Sequence, residues 1–233
     1  MQQVFRQEHK FLISLMESKK QSGYISHFLA QDPHNGDHPA GYRIRSLYFD
    51  TLNNQDFFDK EEGIETRRKI RLRLYDPAGD FAMLEMKQKQ GAEQLKRSLK
   101  LTRAHAIQLT KGSYSVLLSY NDPFAAECFA IMNMQCYRPK AVVEYRRRAF
   151  IAKENKTRVT FDSELTGTES SFDVFSATLP LYPILSGDRV VLEVKYNGFL
   201  LSYIQNMIRD CNKSSESVSK YCLGRSVGLK YLF

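Results

Sequence analysis

The stretch that decides the fold is RRKIRLRLY, residues 67–75. It alternates as a β-strand does, with Ile or Leu at positions 70, 72 and 74. The opposite face is purely cationic and carries Lys69, Arg71 and Arg73. Neighbouring cations on such a face lie about 7 Å apart and repel by roughly 2 kcal/mol per pair at an effective dielectric of about 20. The face must therefore be screened by solvent or neutralised by a bound anion.

The composition predicts one folded domain. The chain has 233 residues, 42% of them hydrophobic, which is enough for a sizeable core. We expect a single domain over residues 1–233. No run of about 18 apolar residues is present, and MQQVFRQEHKF lacks the apolar centre of a signal peptide. These features predict a cytoplasmic protein without a membrane segment.

The formal net charge of +8 favours an anionic partner. Nucleic acid, phosphate compounds and a membrane surface all fit this charge, and so does a generally basic surface without a specific ligand. Sequence-specific nucleic-acid binding is not expected, because the chain has neither a helix-turn-helix pattern nor an RNP-type aromatic motif. A P-loop is also absent from the sequence, so any nucleotide would be held by side chains.

Neither the cysteines nor the histidines form a metal-binding pattern. The loop QDPHNGDHPAG is rich in turn formers, and its His34 and His38 lack a third ligand, which favours a solvated loop over a metal site. The cysteines have no C-x-x-C pair and no histidine at ligand spacing, which argues against zinc and predicts reduced, mostly packed thiols. They are Cys128, Cys136, Cys211 and Cys222.

The order of the elements predicts an α+β fold. A first strand, VFRQEHKFLIS, precedes a helical stretch near residues 15–30. The gaps DPAGD and QGAEQ are hairpin-sized, so the middle of the chain is predicted to be an antiparallel meander. Helical stretches near 103–118 and 123–134 follow, and strand patterns resume at KAVVEYRRRAFIA, TRVTFDSEL and RVVLEVKYNG. Seven or eight strands with surrounding helices predict a large antiparallel sheet, which can close into a barrel.

The charged residues of the strands repeat at a period of two. Six pairs share a face in this way: Glu8 with Lys10, Arg71 with Arg73, Glu85 with Lys87, Tyr145 with Arg147, Arg158 with Asp162, and Glu193 with Lys195. We favour an arrangement in which the apolar faces pack outward against helices and the charged faces line a tunnel. An open sheet with a solvated charged face is the alternative.

The chemistry of these faces suits a phosphate chain with a bound metal. Arg and Lys donate charge-assisted hydrogen bonds to phosphate oxygens, and a few carboxylates among them can hold Mg²⁺ or Mn²⁺. The motifs EHKF, SLYFDT, RLRLY, LEMKQK, VVEYRRRAF, RVTFD, LEVKYNG and SVSKYCLGR together resemble the VTC domain from about residue 5 to residue 224. This is the polyphosphate polymerase branch of the triphosphate tunnel metalloenzymes, which are related to the CYTH proteins.

The resemblance implies an eight-stranded antiparallel β-barrel tunnel with helices packed around the outside. It implies binding of ATP, triphosphate or polyphosphate together with a divalent metal, and transfer of the γ-phosphoryl of ATP onto polyphosphate. The phosphate-binding residues that it implies are Lys10, Arg71, Arg73, Lys87, Tyr145, Arg147, Arg158, Ser219 and Lys220, and Lys96 and Arg97 compete for one further basic position. Of these, Arg71, Arg73, Lys87, Arg147 and Arg158 would hold and polarise the reacting phosphates.

Glu193 matches the principal metal carboxylate of the family, and Glu85 is a second candidate because the strand period places it beside Lys87. Glu8, Asp162 and Lys195 share the presumed inner face, where structural ion pairing explains them equally well. The chain departs from the fungal polymerases at Ser217, where they carry a lysine, and it lacks their SPX and transmembrane domains. A triphosphatase and a noncatalytic polyphosphate or inositol-phosphate binding module remain alternatives to polyphosphate synthesis.

Overall fold

A computed structural model describes residues 6–91, 93–209 and 218–229, so that Cys211 and Ser217 lie outside the described residues. The described strands are β1 (Arg6–Ser14), β2 (Ala30–Gln31), β3 (Tyr42–Asp50), β4 (Arg67–Leu74), β5 (Phe81–Gln90), β6 (Glu93–Thr102), β7 (Arg138–Ile151), β8 (Arg158–Thr168), β9 (Tyr182–Pro183) and β10 (Arg189–Asn197). The described α-helices are α1 (Leu15–Ile25), α2 (Gln55–Glu61), α3 (Arg103–Thr110), α4 (Pro123–Met134), α5 (Ser202–Arg209) and α6 (Lys220–Leu229).

Eight strands form one antiparallel sheet in the order β1-β10-β8-β7-β3-β4-β5-β6. The short strand β2 pairs with β7, and β9 pairs with β8. The predicted meander is present, because β4 pairs with β5 and β5 with β6. The predicted α+β fold, with an eight-stranded antiparallel sheet and helices packed against it, is confirmed.

The chain divides into two compact units, each assembled from three separate segments. Unit 1 consists of Met1–Arg43, Tyr145–Leu165 and Leu185–Ser219. Unit 2 consists of Ile44–Glu144, Thr166–Ile184 and Lys220–Phe233. The expectation of one domain over residues 1–233 stays a prediction.

The core of unit 1 lies between the apolar face of its strands and two helices. Alternate residues from β1, β8 and β10 are buried there, for example Ile13, Val159 and Leu192. Ile25 of α1 and Ile204 of α5 pack in the same cluster. The polar residues between these positions are therefore left on the opposite face of the strands, as the alternation predicts.

The core of unit 2 is built in the same way. The apolar positions of RRKIRLRLY are buried, together with alternate residues of β3 and β5 and with Leu101 of β6. Leu109 of α3 and Cys128 of α4 close this core from the helical side. Burial raises the pKa of the Cys128 thiol to about 12, as expected for a packed cysteine, whereas Cys136 is exposed and Cys222 is half-buried.

Local sequence signals fix the starts of the helices. Ser14 caps α1 in a capping box, because its hydroxyl accepts from the Glu17 amide while Oε2 of Glu17 accepts from the Ser14 amide. Thr102 and Asp122 cap α3 and α4 through their side chains. Within the described residues, none of the helices has the length and apolar composition needed to cross a membrane.

Candidate functional site

The register of unit 1 brings polar residues of four strands together. Lys10 of β1 lies opposite Glu193 of β10, and Glu8 lies opposite Lys195. Because directly opposed residues of antiparallel strands share a face, these side chains meet on the polar side of the sheet. The group, called the Glu193 cluster here, consists of Glu8, Lys10, Tyr145, Arg147, Asp162, Glu193 and Lys195.

Glu193 is buried among three cations. Its Oε1 lies 2.7 Å from Nζ of Lys195 and 4.0 Å from Nζ of Lys10, and its Oε2 lies 3.3 Å from Nη2 of Arg147. Burial alone would raise the pKa of Glu193, but Lys195, Lys10 and Arg147 hold it well below its usual value. The carboxylate is therefore ionised at neutral pH.

Arg147 is held by a second carboxylate in a forked geometry. Its Nε lies 2.6 Å from Oδ1 of Asp162, and its Nη2 lies 2.7 Å from Oδ2. Burial would lower the pKa of the guanidinium, but Asp162, Tyr145 and Glu193 raise it. The guanidinium also lies 5.4 Å from the centre of the Tyr145 ring. Paired with two carboxylates, Arg147 is fixed in position by the protein itself.

Unit 2 places a second group of cations around one carboxylate. Arg71 of β4 lies opposite Glu85 of β5, and Nε of Arg71 donates to Oε2 of Glu85 at 2.8 Å. Nζ of Lys96 lies 2.5 Å from Oε1 of Glu85, and Nε of Arg73 lies 3.8 Å from Oε2. The hydroxyl of Tyr48 accepts from Nη1 of Arg71 at 3.2 Å. These five residues are called the Glu85 cluster.

The Glu85 cluster has an excess of positive charge. Burial would raise the pKa of Glu85, but Arg71, Arg73 and Lys96 lower it to about 2, so one permanent negative charge faces three cations. Among the described residues, two buried polar atoms here have no hydrogen-bond partner, Nε of Arg73 and Oγ of Ser46. Ser46 lies opposite Arg73 on β3, so both atoms belong to the same polar face. Two donors without a hydrogen bond beside excess cations suit a bound anion.

A row of lysines continues this polar face. Lys69 lies opposite Lys87, and Lys87 lies opposite Lys96. Directly opposed like charges destabilise a sheet, so three lysines in register across three strands are another feature that an anion would relieve. Lys87 is thereby on the same face as Glu85, as the strand period predicts.

The structure separates the two residues that compete for one basic position. Lys96 contacts Glu85 on the polar face, whereas Arg97 points to the helical side. There both terminal nitrogens of Arg97 donate to the Glu127 carboxylate of α4, and its guanidinium lies 5.0 Å from the Phe124 ring centre. Of this pair, only Lys96 lies with the other candidate cations.

The remaining predicted site residues are near α6 or on β8. Ser219 is buried directly before α6, and Lys220 is the first residue of that helix. On β8, Nη2 of Arg158 donates to Oδ2 of Asp32 at 2.7 Å and to the Tyr42 hydroxyl at 2.9 Å. Arg158 therefore pairs with a carboxylate that the sequence analysis did not select.

The carboxylates fit a metal ion that takes most of its ligands from elsewhere. In residues 6–91, 93–209 and 218–229, no three His, Cys, Asp or Glu side chains are grouped so that they could hold a metal ion. Glu193 and Glu85 each accept from cations and have a lowered pKa, so both are ionised. Mg²⁺ is commonly bound by one or two carboxylates together with water and substrate phosphates. Such an ion fits these carboxylates, whereas a cage made of protein ligands alone does not.

Several residues at these clusters escaped the sequence analysis. Ser46 and Tyr48 follow the period of two within SLYFDT, so the alternation that identified Arg71 could have found them. The ring of Tyr48 also stacks on Tyr221 of α6, with centroids 5.2 Å apart, and no local pattern predicts that contact. Asp32 lies in a segment that resembles an ordinary turn, and its burial depends on a distant strand.

Comparison with known proteins identifies a sequence family and a fold. A family model described as the VTC domain matches residues 5–228. No curated protein matches the chain significantly. A solved structure of a proposed adenylate cyclase from Bacillus halodurans is 12% identical, covers 92% of this chain and 95% of its own, and has a TM-score of 0.52.

Two other solved structures align over similar lengths with lower TM-scores. The PH1819 protein of Pyrococcus horikoshii OT3 is 9% identical, covers 93% of this chain and 97% of its own, and has a TM-score of 0.46. In the Mediator head module of Schizosaccharomyces pombe, the matching chain is 10% identical, with coverages of 97% and 91% and a TM-score of 0.48. At such identities the likeness to the Bacillus halodurans structure concerns the fold alone.

Proposed function

Because the chain belongs to the VTC domain family, within the CYTH-like triphosphate tunnel superfamily, we propose that it catalyses metal-dependent phosphoryl transfer and makes polyphosphate from ATP. The superfamily consists mostly of phosphoryl-transfer enzymes. Its substrates are polyanions, and the polar face of this sheet carries the cations that such substrates require.

The observation that carries the proposal is the charge imbalance of the Glu85 cluster. Glu85 compensates one of the cations Arg71, Arg73 and Lys96, which leaves two positive charges without a carboxylate of the cluster. Lys87 and Lys69 extend the same face. A stretch of several phosphate groups is the kind of ligand that neutralises such a row, because each phosphate brings at least one negative charge.

In this proposal the protein acts by positioning and by charge stabilisation. Arg71 and Arg73 donate to phosphate oxygens in fixed directions, since Glu85 and Tyr48 already orient the guanidinium of Arg71. Phosphoryl transfer passes through a loose transition state in which charge spreads over the oxygens, so pre-oriented cations lower its energy without a covalent nucleophile. The further proposed phosphate ligands are Lys10, Lys87, Lys96, Tyr145, Arg147, Arg158, Ser219 and Lys220.

The proposed metal residues are Glu193 and Glu85. A bound Mn²⁺ or Mg²⁺ would neutralise charge on the reacting phosphate oxygens. Glu193 is already surrounded by Lys10, Lys195 and Arg147, which would contact phosphate oxygens brought next to the carboxylate. These three cations would then neutralise the negative charge of the phosphate, which the Glu193 carboxylate repels.

The acceptor of the phosphoryl group decides between the related activities. A polyphosphate end aligned with the γ-phosphate of ATP yields a longer chain, whereas water yields phosphate and makes the protein a triphosphatase. A polyphosphate-binding module without turnover would use the same cations and is a third candidate.

One assay tests the proposal. The protein is incubated with ATP and Mn²⁺, with EDTA as the metal-free control and Arg71→Ala as the site variant. We expect ADP and acid-insoluble phosphate polymer from the wild type, and neither product from either control. ADP or AMP with free phosphate would instead identify a triphosphatase. Tight triphosphate binding without any product would identify a binding module and would overturn the catalytic proposal.

A further inference from the structure

The segment from Asp32 to Tyr42 is fixed to strand β7 and is not a freely solvated loop. It follows β2, and the amide of Asp32 donates to the Ala149 carbonyl at 2.9 Å. The side chain of Asn35 binds both backbone groups of Ala149, each at 2.9 Å. Asp32 and Asn35 are both 5% exposed. The predicted solvent exposure holds for the His34 and His38 side chains but not for these two residues.

Gly41 shows how closely this segment approaches β7. Its φ is +80°, a backbone conformation that L-residues rarely adopt, and a Cβ on it would lie 1.9 Å from the Arg147 carbonyl oxygen. Only glycine fits such an approach. The backbone that carries Asp32 and Tyr42 is therefore anchored at both ends.

Asp32 and Tyr42 use this anchored backbone to hold Arg158. Both accept from the same guanidinium nitrogen, Nη2, at 2.7 Å and 2.9 Å. The second carboxylate oxygen of Asp32 accepts from the amide and the ring Nδ1 of His34, which fixes the carboxylate itself. Nε of Arg158 is buried without a hydrogen-bond partner in the described part of the chain, and the side chain is 31% exposed.

We propose that Asp32 is a positioning residue that aims Arg158 at a phosphate of the ligand, an inference that rests on the proposed function. Asp32 and Tyr42 hold Nη2, so the side chain of Arg158 already has one orientation. The other nitrogens of its guanidinium can then donate to an anion without a change of rotamer. Fixing a long side chain before binding removes an entropic cost that binding would otherwise include. The negative charge of Asp32 acts in the opposite direction, since it repels the phosphate.

These two effects of Asp32 can be separated by substitution. Asn has no charge and keeps one acceptor oxygen in place of two, so it can accept from Nη2 of Arg158 but then no longer accepts from the His34 amide. Ala removes both the acceptor and the charge. A positioning residue therefore predicts that Asp32→Ala weakens ligand binding more than Asp32→Asn does.

The experiment measures the dissociation constant of inorganic triphosphate by calorimetry without metal. We expect Asp32→Ala to raise it about fivefold to tenfold, the size of one well-placed charge-assisted contact at a partly exposed site. In an Arg158→Gln background, Asp32→Ala should change the dissociation constant less than about twofold. If Asp32 acts only through Arg158, its substitution has no effect once Arg158 is gone. Asp37→Ala, which removes an exposed carboxylate from the same segment, is the matched control and should leave the constant unchanged.

Tyr42→Phe gives a second measurement if Asp32→Ala fails to fold. It removes one acceptor from Nη2 but keeps the ring, and it should weaken binding about twofold to threefold only when Arg158 is present. The inference is overturned if Asp32→Ala tightens binding, leaves it unchanged, or weakens it equally in the Arg158→Gln background. Wild-type protein that does not bind triphosphate at all would overturn the proposed function itself.

Discussion

Lys195 and Glu193 are neighbours on one face of β10, and Nζ of Lys195 lies 2.7 Å from Oε1 of Glu193. Burial lowers the pKa of Lys195 to about 8, although the charges of Glu193 and Glu8 raise it. Both groups are therefore charged at neutral pH, but Lys195 loses its proton at a lower pH than an ordinary lysine does. An incoming phosphate would compete with Glu193 for this ammonium group.

Glu193→Gln should separate metal-dependent chemistry from phosphate binding. The amide keeps the size of the side chain but lacks the charge that a divalent cation requires, so turnover with Mn²⁺ should fall at least about a hundredfold. The metal-free dissociation constant of triphosphate should stay equal or fall, because Lys10, Lys195 and Arg147 lose a competing carboxylate. Exposed Glu164 provides the control variant Glu164→Gln, and full turnover by Glu193→Gln would exclude Glu193 as the metal ligand.

Lys96→Ala and Arg97→Ala should differ although the two residues are adjacent. Lys96 shares the polar face with Glu85, so its loss should raise the dissociation constant of triphosphate about threefold to tenfold. Arg97 contacts Glu127 on the helical side, so its loss should leave ligand binding unchanged and lower only the thermal midpoint. Calorimetry and thermal unfolding of both variants check this, and equal binding defects would contradict the assignment of faces.

A phosphate chain should stabilise the protein more than a single anion does. A ligand at 100 times its dissociation constant adds about 2.7 kcal/mol to the free energy of unfolding. Because the cations of the Glu85 cluster together with Lys87 are spread over three strands, triphosphate should raise the thermal midpoint more than pyrophosphate, and pyrophosphate more than sulfate. The shift should shrink with added salt. Equal shifts for all three anions would contradict a site built for a chain.

Asp56 should make the protein less stable as the pH rises. Burial and the nearby charge of Asp50 raise its pKa to about 8, and the Tyr137 hydroxyl donates to it at 2.9 Å. The folded state thus keeps a proton that the unfolded state loses near pH 4. The contribution of Asp56 to the free energy of unfolding is complete below that pH. It decreases from there up to about pH 8, by up to about 1.4 kcal/mol per pH unit.

Asp56→Asn should remove most of this pH dependence, since an amide does not titrate. Urea unfolding at pH 6, 7 and 8 measures the free energy of unfolding of the wild type, of Asp56→Asn and of Asp59→Asn, a control on the same helix. The wild type and the control should lose stability across this range, and Asp56→Asn should not. A wild type whose unfolding free energy rises with pH would show that Asp56 does not titrate near 8.

The sequence predicted features that depend on the nearest neighbours along the chain. The alternation of RRKIRLRLY placed Arg71 and Arg73 on the polar face, because successive side chains of a strand must point to opposite sides. The same rule could not decide between Lys96 and Arg97, since LKRSLKL does not alternate cleanly in that stretch. Only the contact with Glu127, a residue of a later helix, distinguishes them.

Features that depend on distant parts of the chain were not predicted. Asp32 looks solvated in the sequence because turn formers surround it, yet the Ala149 backbone, more than 100 residues away, makes it buried. The raised pKa of Asp56 likewise comes chiefly from its burial, which a local pattern does not reveal. The expectation that the Glu193 and Glu85 clusters contact one phosphate chain stays a prediction.

The pairing of β1 with β10 has a consequence for how the chain acquires its structure during synthesis. Lys10 lies opposite Glu193, so β1 cannot pair with β10, the last of the described strands, until that strand has been synthesised. At about 5–20 residues per second, a ribosome needs roughly 9 to 35 s to make the stretch between Ser14 and Arg189. Throughout that interval the apolar side of β1, including Phe11 and Ile13, has no partner strand from β10. Until β10 is made, α1, which packs in the same core, is the neighbouring element that can cover this apolar side.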